Sequence, residues 1–162
     1  MTGSAASGRA RVTLPTDTQV QITRDFPAPR HQVFRAWTTP DLIRRWWAGD
    51  RGHVVSIEVD LRPGGAWRYV MMAKAGFEVA FHGSYREVEH DERIVHTEVF
   101  EGAPEAEAVT TVTFAEHDGR TTVTILVEHS SKANRDAHVA SGMEEGMQEA
   151  LDHLEQVAVA LI

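Results

Sequence analysis

Between Gln19 and Phe26 the apolar residues Val20 and Ile22 alternate with polar neighbours. That period of two predicts a half-buried strand, and Pro27 and Pro29 end it. From His31 to Trp37 the spacing changes, and Val33, Phe34 and Trp37 fall on one helical face. Thr39-Pro40-Asp41 restarts a second short helix that carries Leu42, Ile43, Trp46 and Trp47. From Val54 to His129 the period returns to two. Turn words at Pro63-Gly64-Gly65, Lys74-Ala75-Gly76, Glu89-His90-Asp91, Gly102-Ala103-Pro104 and His117-Asp118-Gly119 cut this stretch into six strands, hence an antiparallel meander. From Lys132 to Ile162, Val139, Met143, Met147, Leu151, Leu154, Val157 and Leu161 recur at spacings of three and four. That predicts one long amphipathic helix, about 40 Å at 1.5 Å per residue, with Ser130 or Ser131 as its cap.

The expected fold is therefore α+β. A curved, seven-stranded antiparallel sheet buries one face around a long C-terminal helix, and two short helices follow the first strand. Residues 1–16 are small and polar without period, so they are expected to form a flexible tail, with 17–162 as a single domain. A length of 162 residues suits one domain.

Charge narrows the partners. Sixteen Lys and Arg against 24 Asp and Glu leave a net charge of −8, which does not draw the chain to nucleic acid or to an anionic membrane. There is no cysteine, which excludes a disulfide scaffold, a thiolate nucleophile and a Cys-type metal centre. No apolar run reaches membrane-spanning length and MTGSAASGRARV lacks a signal-peptide core, so a cytoplasmic location is expected. The nine histidines show no H-E-x-x-H spacing, and neither a metal nor another cofactor is expected.

A two-residue turn at His90-Asp91 would pair Glu89 with Glu92, Tyr85 with His96, Gly83 with Glu98 and Phe81 with Phe100. Phe81, Tyr85, His96, Glu98 and Phe100 then share an inward face, while His82, Ser84, Arg86, Val95, Thr97 and Val99 face solvent. By the same parity Trp67, Tyr69 and Met71 stand together. Aromatic and apolar walls around a few polar groups suit a small-molecule pocket. Met143, Gly146 and Met147 on the last helix, and Trp46 from the Trp46-Trp47 pair, complete the candidate lining, with one ring of that pair in the core and the other at the mouth. The glycines of the Gly142, Gly146, Ala150 stripe either leave volume for a ligand or let the helix pack closely on the sheet. His96 and Glu98, two apart on one strand, are a candidate polar anchor, or an acid–base pair in which Glu98 fixes the tautomer of His96. His129, at the end of the last strand, is placed to join His96 inside.

The local words resemble a known family. They are Phe26-Pro-Ala-Pro-Arg-His-Gln-Val-Phe-Arg-Ala-Trp-Thr-Thr-Pro40, Arg45-Trp-Trp47, Asp60-Leu-Arg-Pro-Gly-Gly-Ala-Trp67-Arg68-Tyr69, Thr97-Glu-Val-Phe-Glu101, Ser131-Lys-Ala-Asn-Arg-Asp136 and Ala140-Ser-Gly-Met-Glu-Glu-Gly-Met147. In order and content they resemble the START-like, Bet v 1-like (SRPBCC) superfamily, in particular the C-terminal domain family of the activator of Hsp90 ATPase. The resemblance implies a helix-grip fold with a cavity between sheet and C-terminal helix for an apolar or aromatic small molecule, and it hands over no catalytic residue. Two other functions remain open on this scaffold: an enzyme of cyclase, hydrolase or isomerase type using the same cavity, and a stress-related protein-interaction module. The co-chaperone's separate Hsp90-binding domain has no counterpart in these residues, so Hsp90 binding is not expected. A homodimer remains open.

Overall fold

The computed structural model describes residues 9–161. The elements are β1 (Arg11–Thr13), β2 (Gln19–Phe26), α1 (Arg30–Thr38), α2 (Pro40–Ile43), β3 (Gly52–Val59), β4 (Ala66–Ala73), β5 (Glu78–Glu89), β6 (Arg93–Phe100), β7 (Ala108–His117), β8 (Arg120–His129), α3 (Lys132–Ala140) and α4 (Met143–Ala160). All strands join one antiparallel sheet in the order β1-β2-β8-β7-β6-β5-β4-β3. Since β2 lies beside β8 and β3 forms the far edge, the chain between β2 and β3 must travel the length of the sheet. That traverse, made of α1, α2 and the turns of residues 44–51, places Trp46 and Trp47.

The alternation expected in the strands is present. On β2, Val20, Ile22 and Phe26 are buried, as are Val112 and Phe114 on β7 and Val123 and Val127 on β8. They pack against Val33 and Phe34 of α1 and Leu151, Leu154 and Val157 of α4 in one core. Ser131 caps α3 as expected, its hydroxyl accepting from the Asn134 amide at 3.1 Å. No described helix is long and apolar enough to cross a membrane.

The sheet has eight strands, not seven. The added strand is β1, three residues too short to show a period, whose register pairs Val12 with Ile22. It lies inside the stretch expected to be a flexible tail. The residue before it, Ala10, is buried and exchanges both backbone hydrogen bonds with the Gln148 amide on α4, at 3.1 and 2.9 Å. Residues 1–8 of that expected tail lie outside the described residues.

The last helix is two helices. Gly142 adopts φ 83°, a left-handed conformation that ends the first and begins the second. The apolar spacing runs through this break unchanged, so periodicity alone could not show it. The 18 residues of α4 span about 27 Å.

The hairpin between β5 and β6 corrects a register while keeping its consequence. Glu89 pairs with Arg93 rather than Glu92, around a turn in which Asp91 has φ 67°. A bulge at Arg86 absorbs the extra residue, so Tyr85 still faces His96 and Phe81 still faces Phe100. The opposite face is drier than expected: Val95, Thr97 and Val99 are buried, alongside Val70 and Ala80 of neighbouring strands. At the margin of that strip, Arg68 makes a two-pronged contact with Glu101 at 2.8 and 2.9 Å, and His82 meets the same carboxylate at 2.9 Å. Both partners hold the half-exposed Glu101 carboxyl down at about 2.

Candidate functional site

Register builds the site row by row on the inner face. The first row reads Val59, Trp67 and Gly83 across β3, β4 and β5. The β5–β6 register carries it on to Glu98, which pairs with Ala108, which pairs with His129. Glu98 therefore has the two smallest available neighbours, Gly83 and Ala108, on its two sides. The row on one side is Ile57, Tyr69, Phe81 and Phe100. On the other side it is Tyr85, His96, Thr110 and Val127.

Gly83 is needed for more than space. A Cβ there would stand 1.9 Å from the Thr97 carbonyl oxygen and 2.7 Å from the Trp67 indole nitrogen. The indole N–H of Trp67 donates to that carbonyl at 3.1 Å, and the Ser84 amide is bonded instead to the Thr97 hydroxyl at 2.9 Å. The ladder opens locally so that the large ring of Trp67 can lie over the glycine.

The aromatic rings form a connected wall. Trp67 meets Tyr69 edge to face with centroids 4.9 Å apart, and Trp47 meets Tyr69 at 5.3 Å and Phe81 at 5.8 Å. Phe81 continues to Phe100 at 5.2 Å, while Trp67 reaches His96 at 5.2 Å. Trp67 and Tyr85 are buried, but Tyr69, Met71, Phe81, His96 and Glu98 all keep partial exposure. Phe100, at 42% exposed, stands on the rim. Met143 and Met147 of α4 are partly buried against the core.

The polar chemistry is concentrated at Glu98. No hydrogen bond or ion pair to its carboxylate occurs among the described residues, and desolvation alone lifts its pKa to about 7. Burial also raises the Tyr69 hydroxyl, with the charges of Tyr85 and Glu98 adding to it, and burial raises Tyr85. Desolvation lowers His96. The His96 Nδ1 donates to the Thr97 carbonyl at 3.1 Å, and because a carbonyl only accepts, the proton sits on Nδ1. The backbone, not Glu98, therefore fixes the tautomer. The acid–base alternative, in which Glu98 orients His96, is not assembled.

Three other expectations are relocated. Trp46 is only 6% exposed and donates its indole N–H to the Ala36 carbonyl at 2.9 Å, so it belongs to the core and Trp47 is the ring at the site. Adjacent residues in a helical turn point about 100° apart, and only one ring of the pair can face α1. Gly146 lines neither a cavity nor the sheet: a Cβ there would meet Arg51 Nε at 3.0 Å. His129 meets His138 rather than His96, at 2.9 Å between ring nitrogens, and burial lowers His138 to about 4.

An open depression lies elsewhere, where Glu144, Glu145, Glu149 and Asp152 gather near Arg9 at the start of α4, and it has no aromatic lining. No group of three or more metal-ligating side chains occurs among the described residues. Arg24, buried on the inner face of β2, escaped notice in the sequence because a charged residue there breaks the apolar alternation. Its two terminal nitrogens hold Asp152 at 2.7 Å and Glu155 at 2.9 Å on α4.

Comparison with known proteins agrees with this architecture. A protein from Rhodobacter sphaeroides superposes with a TM-score of 0.87 at 25% identity, covering 95% of this chain and 100% of that one. A Chromobacterium violaceum protein gives 0.74 at 27% identity, with coverage of 88% and 98%. An AHSA1-like protein from Aeromonas hydrophila gives 0.67 at 26% identity, with coverage of 87% and 93%. No curated protein matches. Residues 27–158 match the model of the Activator of Hsp90 ATPase homolog 1-like protein family. The chain belongs to that family, within the Bet v 1-like SRPBCC fold.

Proposed function

We propose that this protein binds a small, largely apolar or aromatic molecule on the inner face of β4–β6, beneath Trp47. The observation that carries the reading is Glu98: a partly buried carboxylate without a protein partner, flanked by Gly83 and Ala108 and surrounded by aromatic rings. An unpartnered buried carboxylate is expensive in a core, and it becomes favourable when a ligand completes its hydrogen bonding. The rings supply affinity through buried area, and the single polar anchor supplies orientation. Trp47 sits on the traverse rather than on a strand, so it is the wall that can move aside to admit a ligand. Binding is favoured over acid–base catalysis because His96 and Glu98 share no hydrogen bond.

Native mass spectrometry of gently purified protein, followed by solvent extraction, tests this. An organic passenger that leaves on extraction, and whose return quenches tryptophan fluorescence in the wild type but less in Trp47→Ala, is the expected result. Protein that is passenger-free and unresponsive to a panel of aromatic compounds overturns it.

A further inference from the structure

Resting on the small-molecule reading above, we infer that the ligand is an organic cation, an ammonium centre carrying apolar or aromatic groups, held between the Glu98 carboxylate and the faces of the surrounding rings. Three features of the structure converge on it. Half-buried and exposed carboxylates elsewhere in the fold have cationic, hydroxyl or amide partners. Asp152 and Glu155 hold Arg24, Glu149 reaches Arg51 at 3.6 Å, and Glu128 accepts from the Thr18 hydroxyl and from Gln19. Glu98 has none among the described residues, and no lysine or arginine contributes to the shift of its carboxyl. A positive charge is what that carboxylate lacks.

The second feature is the shape of the surroundings. In the row through Glu98 the ring of Trp67 lies over Gly83 and Ala108 keeps the other side small, while Tyr69 and Phe81 stand in the next row with Trp47 against both. Faces of Trp, Tyr and Phe attract a cation through their quadrupoles, most strongly when water is excluded. They do so without competing for the hydrogen bonds of the carboxylate. An anion would meet repulsion from Glu98 with no guanidinium or ammonium to offset it. A neutral ligand would gain the apolar contact but leave the carboxylate either unpaired or forced to hold a proton. Third, the net charge of −8 raises the local concentration of cations around the whole molecule.

Calorimetric titration at pH 8 compares two probes of one shape, benzyltrimethylammonium and its neutral carbon isostere neopentylbenzene, on wild type, Glu98→Gln and Trp47→Ala. The expected result is at least about tenfold preference of the wild type for the cation, which corresponds to about 1.4 kcal/mol. Glu98→Gln, which keeps the shape, should lose that preference while holding the neutral probe unchanged, and Trp47→Ala should weaken both probes. Equal or tighter binding of the neutral probe to wild type, with no change in Glu98→Gln, overturns the cation inference and leaves the small-molecule reading intact. Binding of neither probe, together with protein that carries no organic passenger, overturns both.

Discussion

The inner face of the sheet is built in two halves that use the same kinds of residue to opposite ends. Under α1 and α4, the half formed by β2, β8 and β7 is closed: Val20, Val112, Val123 and Leu154 are almost wholly buried. Its larger polar groups are tied. Arg24 is clamped by Asp152 and Glu155, the Thr121 hydroxyl donates to the Ala28 carbonyl at 2.7 Å, and Gln148 binds both ends of Ala10. The half formed by β4, β5 and β6 joins that core through Trp67, Tyr85 and Ile94, and beside them it carries a loop ring, Trp47, against Tyr69 and Phe81. Tyr69, Phe81, His96 and Glu98 stay partly exposed there, and the Glu98 carboxylate and the Tyr69 hydroxyl have no protein partner among the described residues. A sheet that had to be stable throughout would pair these groups or replace them with apolar ones. The difference teaches that stability is concentrated in one half and recognition in the other.

That contrast can be attacked by substitution. Leu154→Ala, at the centre of the closed half, should cost about 2–5 kcal/mol by denaturant titration, whereas Phe81→Leu in the open half should cost less than about 1.5 kcal/mol. Similar losses at both positions would erase the distinction. Gly83→Ala should destabilise by about 1–3 kcal/mol, because its methyl group overpacks the Thr97 carbonyl, and it should also shift the Trp67 emission as the indole loses its bond. An unshifted spectrum and melt would show that the close approach is not needed.

The pH dependence of stability gives a subtler difference. Folding raises the Glu98 carboxyl from an ordinary 4.5 to about 7, so the folded protein holds this proton more tightly than the unfolded chain. Its contribution is fully present below about pH 4.5 and is lost as pH rises through about 7. His138, lowered to about 4, acts in the other sense, losing stability as pH falls below its ordinary 6.5. Subtracting the melting temperature of Glu98→Gln cancels that background. Wild type minus variant should fall steadily between pH 4.5 and 8, and a flat difference would mean that Glu98 is fully solvated. The smallest effect belongs to Gly146→Ala. Helix propensity favours it by up to about 1 kcal/mol, and only the flexible end of Arg51 must yield, so a net loss would show that Arg51 is held rigidly between Glu145 and Glu149.

Much of this contrast was legible in the sequence, and the exceptions have physical causes. Period-two spacing located every strand that is long enough to repeat, and it missed β1, whose three residues cannot. Register arithmetic put Tyr85, His96, Glu98 and Phe81 on one face even though the turn was one residue longer than assumed, because the bulge at Arg86 cancelled the slip. The apolar stripe of the C-terminal segment was correctly read as helical, yet the break came from the backbone preference of one glycine, Gly142, which leaves the stripe in phase. Which of Trp46 and Trp47 enters the core depends on where α1 lies, and nothing local to the pair encodes that. Gly146 and Arg24 likewise take their roles from partners about a hundred residues away, Arg51 and the acidic residues of α4.

The four tryptophans divide evenly between the two halves, Trp37 packing on both Trp46 and Phe114, and Trp47 and Trp67 around Tyr69. Their indole N–H signals in a ¹⁵N-labelled sample, assigned by single substitutions, therefore test the central claim most directly. On titration with benzyltrimethylammonium or with neopentylbenzene, the Trp47 and Trp67 signals should move together and saturate while those of Trp37 and Trp46 stay in place. Movement confined to Trp37 and Trp46, or no movement of any indole with either probe, would contradict the assignment of recognition to the open half.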